Sequence, residues 1–207
     1  PARVRVGLPG QSRRGELGDV LFTHRGVSGP AVLDLSGEVA ELLADCAEVP
    51  ILFDFAPDAP RGESLRRMDD WRRRAGRRHV RALLAERLPA ALAAALCDHA
   101  GVAAETLAAH LTGEQARALA GELHACRLTV TGTEGWAAAM VTRGGVALRQ
   151  VDPRSLASRL VEGLHFAGEL LDLDGPCGGF NLQCAFATGF LAGLSAGAAV
   201  TAARRSG

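Results

Sequence analysis

The residues best suited to chemistry lie between positions 163 and 193. A short apolar run, LHFA at 164–167, ends in Gly168 and Glu169. This is the form of a buried parallel strand that delivers an acid at its carboxyl end, where α/β sheets bind their ligands. An acidic loop follows, then PCGG at 176–179 and an apolar helical run from Phe180. Gly178 and Gly179 remove the Cβ atoms that would keep a ligand from the backbone N–H groups, and the start of a helix adds partial positive charge. A flavin, whose N1–C2=O edge gathers negative charge on reduction, is stabilised by fixed donors of this kind. Asn181 and Gln183 add amide donors and acceptors; the competing readings are a helix cap for Asn181 and an exposed helix position for Gln183.

Other reactive side chains form no recognisable set. Five cysteines are scattered without a C-x-x-C pair, and six histidines occur without H-x-x-x-H or H-E-x-x-H spacing. Neither a disulfide framework nor a metal site is expected, and a reducing compartment is the better match. Cys177 and Cys184 read as small hydrophobes.

Four stretches must position these residues. Residues 4–55 contain apolar runs at 20–23 and 49–55 that predict strands, with a helix starting at Pro30 behind Ser28 or Gly29. From 61 to about 125 the pattern is helical, with Leu65, Met68, Trp71, Leu83, Leu84, Leu88 and Leu92 at three- and four-residue steps. Pro89 starts a new helix, Gly101 ends it, and Thr112 followed by Glu114 and Gln115 starts another that ends near His124. Strands return at 128–131, 137–142 and 146–148, with Gly144 and Gly145 as a turn. A β unit interrupted by a helical insertion accounts for this order.

The 207 residues carry 23 basic and 23 acidic groups, so no global charge favours nucleic acid or an anionic membrane. Residues 61–87 hold ten arginines against four acids. An apolar stripe on the same segment and the lack of an aromatic series favour a solvated helix face, and nucleic acid is not expected as a partner. The apolar run at 185–203 approaches the length of a membrane span, but its hydrophobicity comes largely from Ala and Gly, and a soluble helix packed on a sheet is expected instead.

Three blocks carry a family resemblance: GDVLFTHRGVSGPAVL at 18–33, VTGTEG at 130–135 with VTRGGV at 141–146, and GLHFAGELLDLDG at 163–175 with GGFNLQ at 178–183 and GFLAG at 189–193. Together they resemble the BaiN-like, or aminoacetone oxidase, family of FAD-binding enzymes. The resemblance implies an α+β or α/β chain: a β-rich, barrel-like domain in two parts (1–57 and 127–158), an inserted helical subdomain (58–126), and the terminal strand and helix of a Rossmann-type FAD-binding domain (159–207). It implies a cytoplasmic FAD-dependent oxidoreductase that passes hydride between flavin and a small organic substrate or NAD(P)H.

By motif position, Gly168 and Glu169 lie beside the ribityl or pyrophosphate portion, and Gly178, Gly179, Phe180, Asn181 and Gln183 near the isoalloxazine. Thr23, His24 and Thr142, with Gly144 and Gly145, line the substrate side, and His24 has a side chain suited to proton transfer. No G-x-G-x-x-G occurs, so the resemblance implies that the pyrophosphate site comes from a missing amino-terminal FAD-binding half and that the chain alone is inactive. The alternative is an accessory or substrate-gating module that does not bind FAD on its own.

Overall fold

Alternation builds the first strand, β1 (Ala2–Val6), whose Ala2, Val4 and Val6 are buried while Arg3 and Arg5 stay partly exposed. The computed structural model describes residues 1–12 and 14–206. They divide into two compact units, 1–132 and 133–207.

In the first unit, β1 pairs antiparallel with β2 (Glu16–Gly18) on one side. A short hairpin with two-residue strands follows, β3 (Leu21–Phe22) with β4 (Val27–Ser28). Helix α1 (Pro30–Asp45) has Pro30 in its first turn behind Gly29, as expected, and buries Ala31, Leu35 and Val39 at four-residue steps. Strand β5 (Val49–Asp54) joins the other side of β1 and is followed by the helical insertion. The chain then returns as β6 (Cys126–Val130), antiparallel to β5, and the sheet order is β2-β1-β5-β6.

The insertion is helical throughout, as the three- and four-residue steps require. It comprises α2 (Arg61–Arg74), α3 (Val80–Leu84), α4 (Ala90–His99) and α5 (Gly113–Ala125). Pro89 stands before α4, and Thr112 caps α5 through a complete capping box with Gln115. Helix α5 buries Ala116, Leu119, Ala120 and Leu123. Phe53 and Phe55 stack with ring centroids 5.9 Å apart, and Phe22 lies against both.

A polar relay ties the insertion to the sheet. His124 Nδ1 lies 3.1 Å from Asp54 Oδ1, and its Nε2 lies 2.9 Å from Ser64 Oγ. Ser64 is only 2% exposed. One imidazole therefore joins the end of β5, the first turns of α2 and the last turn of α5.

The second unit has a small core of Val151, Leu156, Leu171 and Ala192. It consists of turns, 3₁₀ segments at Leu148–Gln150 and Gly168–Leu170, and the long helix α6 (Phe180–Ser206). Three expected strands are absent here. Residues 137–142 form turns, Val146 makes only a parallel bridge to Leu171, and 164–167 makes only the antiparallel bridge of His165 to Ala157. An apolar run forms a strand only where a neighbour supplies the ladder, and no strand of this unit flanks them. The mixed α+β class stands, and its carboxyl-terminal helix is in place.

Two expected outcomes follow. Replacing His124 by Ala leaves the buried Ser64 hydroxyl without its ring partner and is expected to cost about 2 kcal/mol in urea unfolding, as for loss of a buried hydrogen-bonded group; a cost below about 0.5 kcal/mol would show that the relay does not hold the insertion. Burial, reinforced by Asp98 and Glu122 respectively, pushes the Cys97 and Cys126 thiols up to about 11 from 9.0. Because the folded values are raised, this contribution is intact below pH 9 and is lost as pH rises through about 11. At pH 8, iodoacetamide should modify the exposed Cys46 and Cys177 in the native chain and spare Cys97 and Cys126; native labelling of the latter pair as fast as of Cys46 would refute the assignment.

Candidate functional site

The loop entering α6 is built on backbone conformations that favour glycine. Gly178 and Gly179 have φ of 129° and 88°, and a Cβ on Gly179 would meet no heavy atom within 4 Å. The approach to this backbone is open, so a planar ligand edge can come within hydrogen-bonding range of the N–H groups at the start of α6.

Asn181 fixes the shape of the loop. Its Oδ1 accepts the Gly175 N–H at 2.7 Å, and its Nδ2 donates to the Gly175 carbonyl at 3.0 Å. This two-way bond commits the side-chain amide to closing the loop onto Gly175. Gln183 is exposed, and its backbone N–H donates to the Gly179 carbonyl in the first turn of α6. Phe180 is 60% exposed beside the glycine pair.

Gly168 and Glu169 sit in a 3₁₀ turn and not at the end of a strand. The Gly168 N–H donates to Thr188 Oγ1 at 2.9 Å, and that hydroxyl donates to the Cys184 carbonyl at 2.6 Å. Thr188 thereby anchors the Glu169 turn to α6. Sequence reading gave it no role, since nothing in its spacing marks a partner twenty positions away. Thr142 and Glu169 come together, with the Thr142 backbone N–H 3.4 Å from Glu169 Oε2. The bond is made by the main chain of Thr142 and not by its hydroxyl. Gly145 belongs to the same cluster: a Cβ there would lie 2.6 Å from the Leu170 carbonyl oxygen, so only glycine permits the Val146 bridge to Leu171.

In the first unit, Thr23 closes the β3–β4 turn. Its hydroxyl accepts the N–H groups of Arg25 and Gly26, each at 3.2 Å, and donates to the Gly26 carbonyl at 3.2 Å. That is a turn-forming role. His24 is exposed at the tip of the same hairpin.

Three arrangements elsewhere have the composition of a site. Ser64, His124 and Asp54 have the order of a nucleophilic triad, but Ser64 is too deeply buried for a substrate to reach. His99, Glu122 and Cys126 offer donor atoms within 4.8 Å of one another. Tetrahedral zinc, with bonds of about 2.0–2.3 Å, holds its donors about 3.3–3.8 Å apart; His99 Nδ1 and Glu122 Oε2 are 3.7 Å apart, while the Cys126 thiol is buried and pushed up to about 11. A cleft of about 550 Å³ is lined by Arg3, Arg5, Arg14, Glu16 and Glu38, and none of the expected site residues lines it. Its mixed charges give it no single ligand chemistry.

The donor set of the second unit fits one end of a flavin. Backbone N–H groups at an open glycine loop suit the isoalloxazine edge, and Glu169 on its anchored turn suits a polar hydroxyl-bearing portion. For the pyrophosphate, no G-x-G-x-x-G is present.

Comparison with known proteins gives a family and three relatives. The HI0933-like protein barrel and H2TH domain family matches residues 2–141. The chain is 32% identical over 198 residues to the 3-dehydro-bile acid delta(4,6)-reductase of Clostridium scindens, covering 94% of this chain and 48% of that protein. It is 30% identical to the ribosomal RNA dihydrouridine synthase of Haemophilus influenzae (85% of this chain, 41% of that protein) and 32% identical to its Escherichia coli namesake (82% and 40%). The chain thus spans about half the length, or less, of these curated relatives.

The loop geometry carries its own test. Asn181→Leu removes both bonds to Gly175 and should open residues 172–179 to limited proteolysis at least tenfold faster while the first unit stays intact; unchanged cleavage would show that the loop is held by other contacts.

Proposed function

The chain belongs to the HI0933-like family, and from that membership we propose that it is the carboxyl-terminal portion of an FAD-dependent oxidoreductase that saturates a carbon–carbon double bond conjugated to a carbonyl. The observation that carries the reading is the open glycine loop at the start of α6, with Glu169 anchored nearby through Thr188. The relatives' names support the reaction class. A delta(4,6)-reductase of a 3-oxo compound and a dihydrouridine synthase both name saturation of a double bond in conjugation with a carbonyl. When bound, reduced flavin supplies the hydride.

The residues of this chain have separate tasks in that reading. The N–H groups following Gly178 and Gly179 bind the electron-rich edge of the isoalloxazine and favour its reduced state. Glu169 binds hydroxyl groups of the cofactor and is positioned by the Thr142 N–H. Phe180 covers apolar ring surface. Saturation needs a proton as well as hydride, and the exposed imidazole of His24 is the candidate donor. Thr23 positions it by closing the hairpin.

An amino-terminal FAD-binding half is the proposed partner, with NAD(P)H as the source of electrons and the cytoplasm as location. Helix α6 supports the need for such a partner. Its Leu182, Phe186, Phe190 and Leu194, at four-residue steps, are 57–72% exposed. The span Phe180–Thr201 is long and apolar enough to cross a membrane by length and composition. Short side chains on its other positions and a ligand loop at its start suit close packing within a protein.

The reading is tested by joining the chain to an amino-terminal half that carries G-x-G-x-x-G. The fusion should purify yellow and oxidise NAD(P)H in the presence of an α,β-unsaturated ketone or a uridine-containing RNA, and Glu169→Ala should lower retained flavin at least tenfold. A folded but colourless fusion would overturn the assignment, leaving the accessory-module reading.

A further inference from the structure

His99, Glu122 and Cys126 belong neither to the flavin loop nor to the His124 relay, yet three elements bring them to one place. His99 is the last residue of α4, Glu122 lies in the last turn of α5, and Cys126 caps α5 and opens β6. Their backbones are held without help from the three side chains. Helix α4 is seated by the buried Ala93, Leu96 and Cys97, and its end is closed by the Ala100 N–H on the Leu96 carbonyl. Gln115 Nε2 donates to the Gly101 carbonyl at 3.1 Å, which ties the first turn of α5 to the turn after α4. Leu119 and Leu123 seat α5, and Cys126 is fixed in register opposite Phe53.

The three donor atoms lie within 4.8 Å of one another. His99 Nδ1 stands 3.7 Å from Glu122 Oε2, too far for a hydrogen bond and within the spacing of two ligands on one tetrahedral ion. The Glu122 carboxylate also accepts the Cys126 thiol, so one acid stands between an imidazole and a sulfur. The side chains of His99 and Glu122 are 58% and 29% exposed and have room to turn towards the buried sulfur. Water can reach the His99 side of the cluster.

An imidazole, a carboxylate and a thiol make a mixed N, O and S donor set. Calcium and magnesium take oxygen ligands, whereas zinc accepts all three donor types in one tetrahedral shell. We propose that His99, Glu122 and Cys126 form a three-ligand zinc site, with water in the fourth position, that pins the end of α4 to the corner between α5 and β6. The inference is independent of the flavin reading. As the sulfur–zinc bond forms, the thiol proton passes to solvent, and the charge of the ion stabilises the thiolate inside the fold. No metal site is expected from the sequence because Glu122 and Cys126 stand one helical turn apart and the third ligand comes from a different helix.

The test uses the 207-residue chain, stripped with a chelator and titrated with Zn²⁺ against a chromophoric competitor. One equivalent should bind. His99→Ala and Glu122→Gln should each weaken binding by roughly tenfold or more, while the double variant Cys46→Ser/His110→Ala, at exposed positions outside the cluster, should stay within about threefold of the parent. Co²⁺ in place of zinc should give the visible absorption of a tetrahedral complex together with a near-ultraviolet thiolate-to-metal band, and both should be lost in Cys126→Ser. Circular dichroism checks folding, and His99→Ala, at an exposed position, keeps the test decisive if Cys126→Ser does not fold. Zinc should also raise the thermal midpoint of the parent and leave that of His99→Ala unchanged. Failure of the parent to bind one equivalent, undiminished affinity in His99→Ala, or a cobalt complex without the thiolate band would each overturn the site.

Discussion

The first unit depends on one closure. The chain leaves the sheet after Asp54 and must return at Cys126 in antiparallel register, with Phe53 opposite Cys126 and Val49 opposite Val130. The entropy of closing so long an excursion grows only slowly with length, by about 0.6 kcal/mol per doubling, so a large insertion is tolerable if its ends meet firmly. They meet through backbone pairing and through His124, which reaches Asp54 from one ring nitrogen and Ser64 from the other. The imidazole fixes both the entry and the exit of the insertion against the same strand end. Helix α5 can then lay Leu119 and Leu123 into the core, and β5 is covered on both edges, by β1 and β6.

The second unit is organised on a different footing. Among the described residues its core consists of Val151, Leu156, Leu171 and Ala192, while α6 keeps a row of large apolar side chains in solvent. A unit with so little buried surface gains its order from turn chemistry: the Asn181 bonds to Gly175, the Thr188 hydroxyl under Gly168, and the close pass of Gly145 over Leu170. These contacts preset a loop without supplying a large hydrophobic stabilisation. Under the proposed function, burial of the α6 stripe against a partner half would supply the driving force that this small core lacks.

Local signals were readable in the sequence where the physics is local. Pro30, Pro89, Thr112 with Gln115, and Gly101 marked helix boundaries because caps and prolines act within one turn. The run that became β5 was legible from its apolar character. Strand β1 was missed because Arg3 and Arg5 dilute its apolar signal, although the alternation itself is regular. The runs at 137–142 and 164–167 read as strands on composition, yet a strand is a property of a pair. The glycines before α6 were legible as positions of unusual backbone conformation, and both have positive φ. The tasks of Asn181 and Thr142 were not, since which atom of a residue is used depends on where the chain folds back. His124 with Ser64, sixty positions apart, and Thr188 with Gly168 belong to the same class.

The arginine segment shows how composition and placement divide the argument. Ten arginines beside an apolar stripe read as a solvated helix face, in a sequence with no lysine at all. Pairing separates them: some are paired with carboxylates, Arg61 and Arg72 donate to the carbonyls of Arg117 and Leu111, and others are exposed on α2, the following turn and α3. A purely solubilising face has no need to concentrate one sign of charge, because interspersed acids and bases keep a surface soluble with less self-repulsion. The segment as a whole carries a net +6, which the rest of the chain balances with −6.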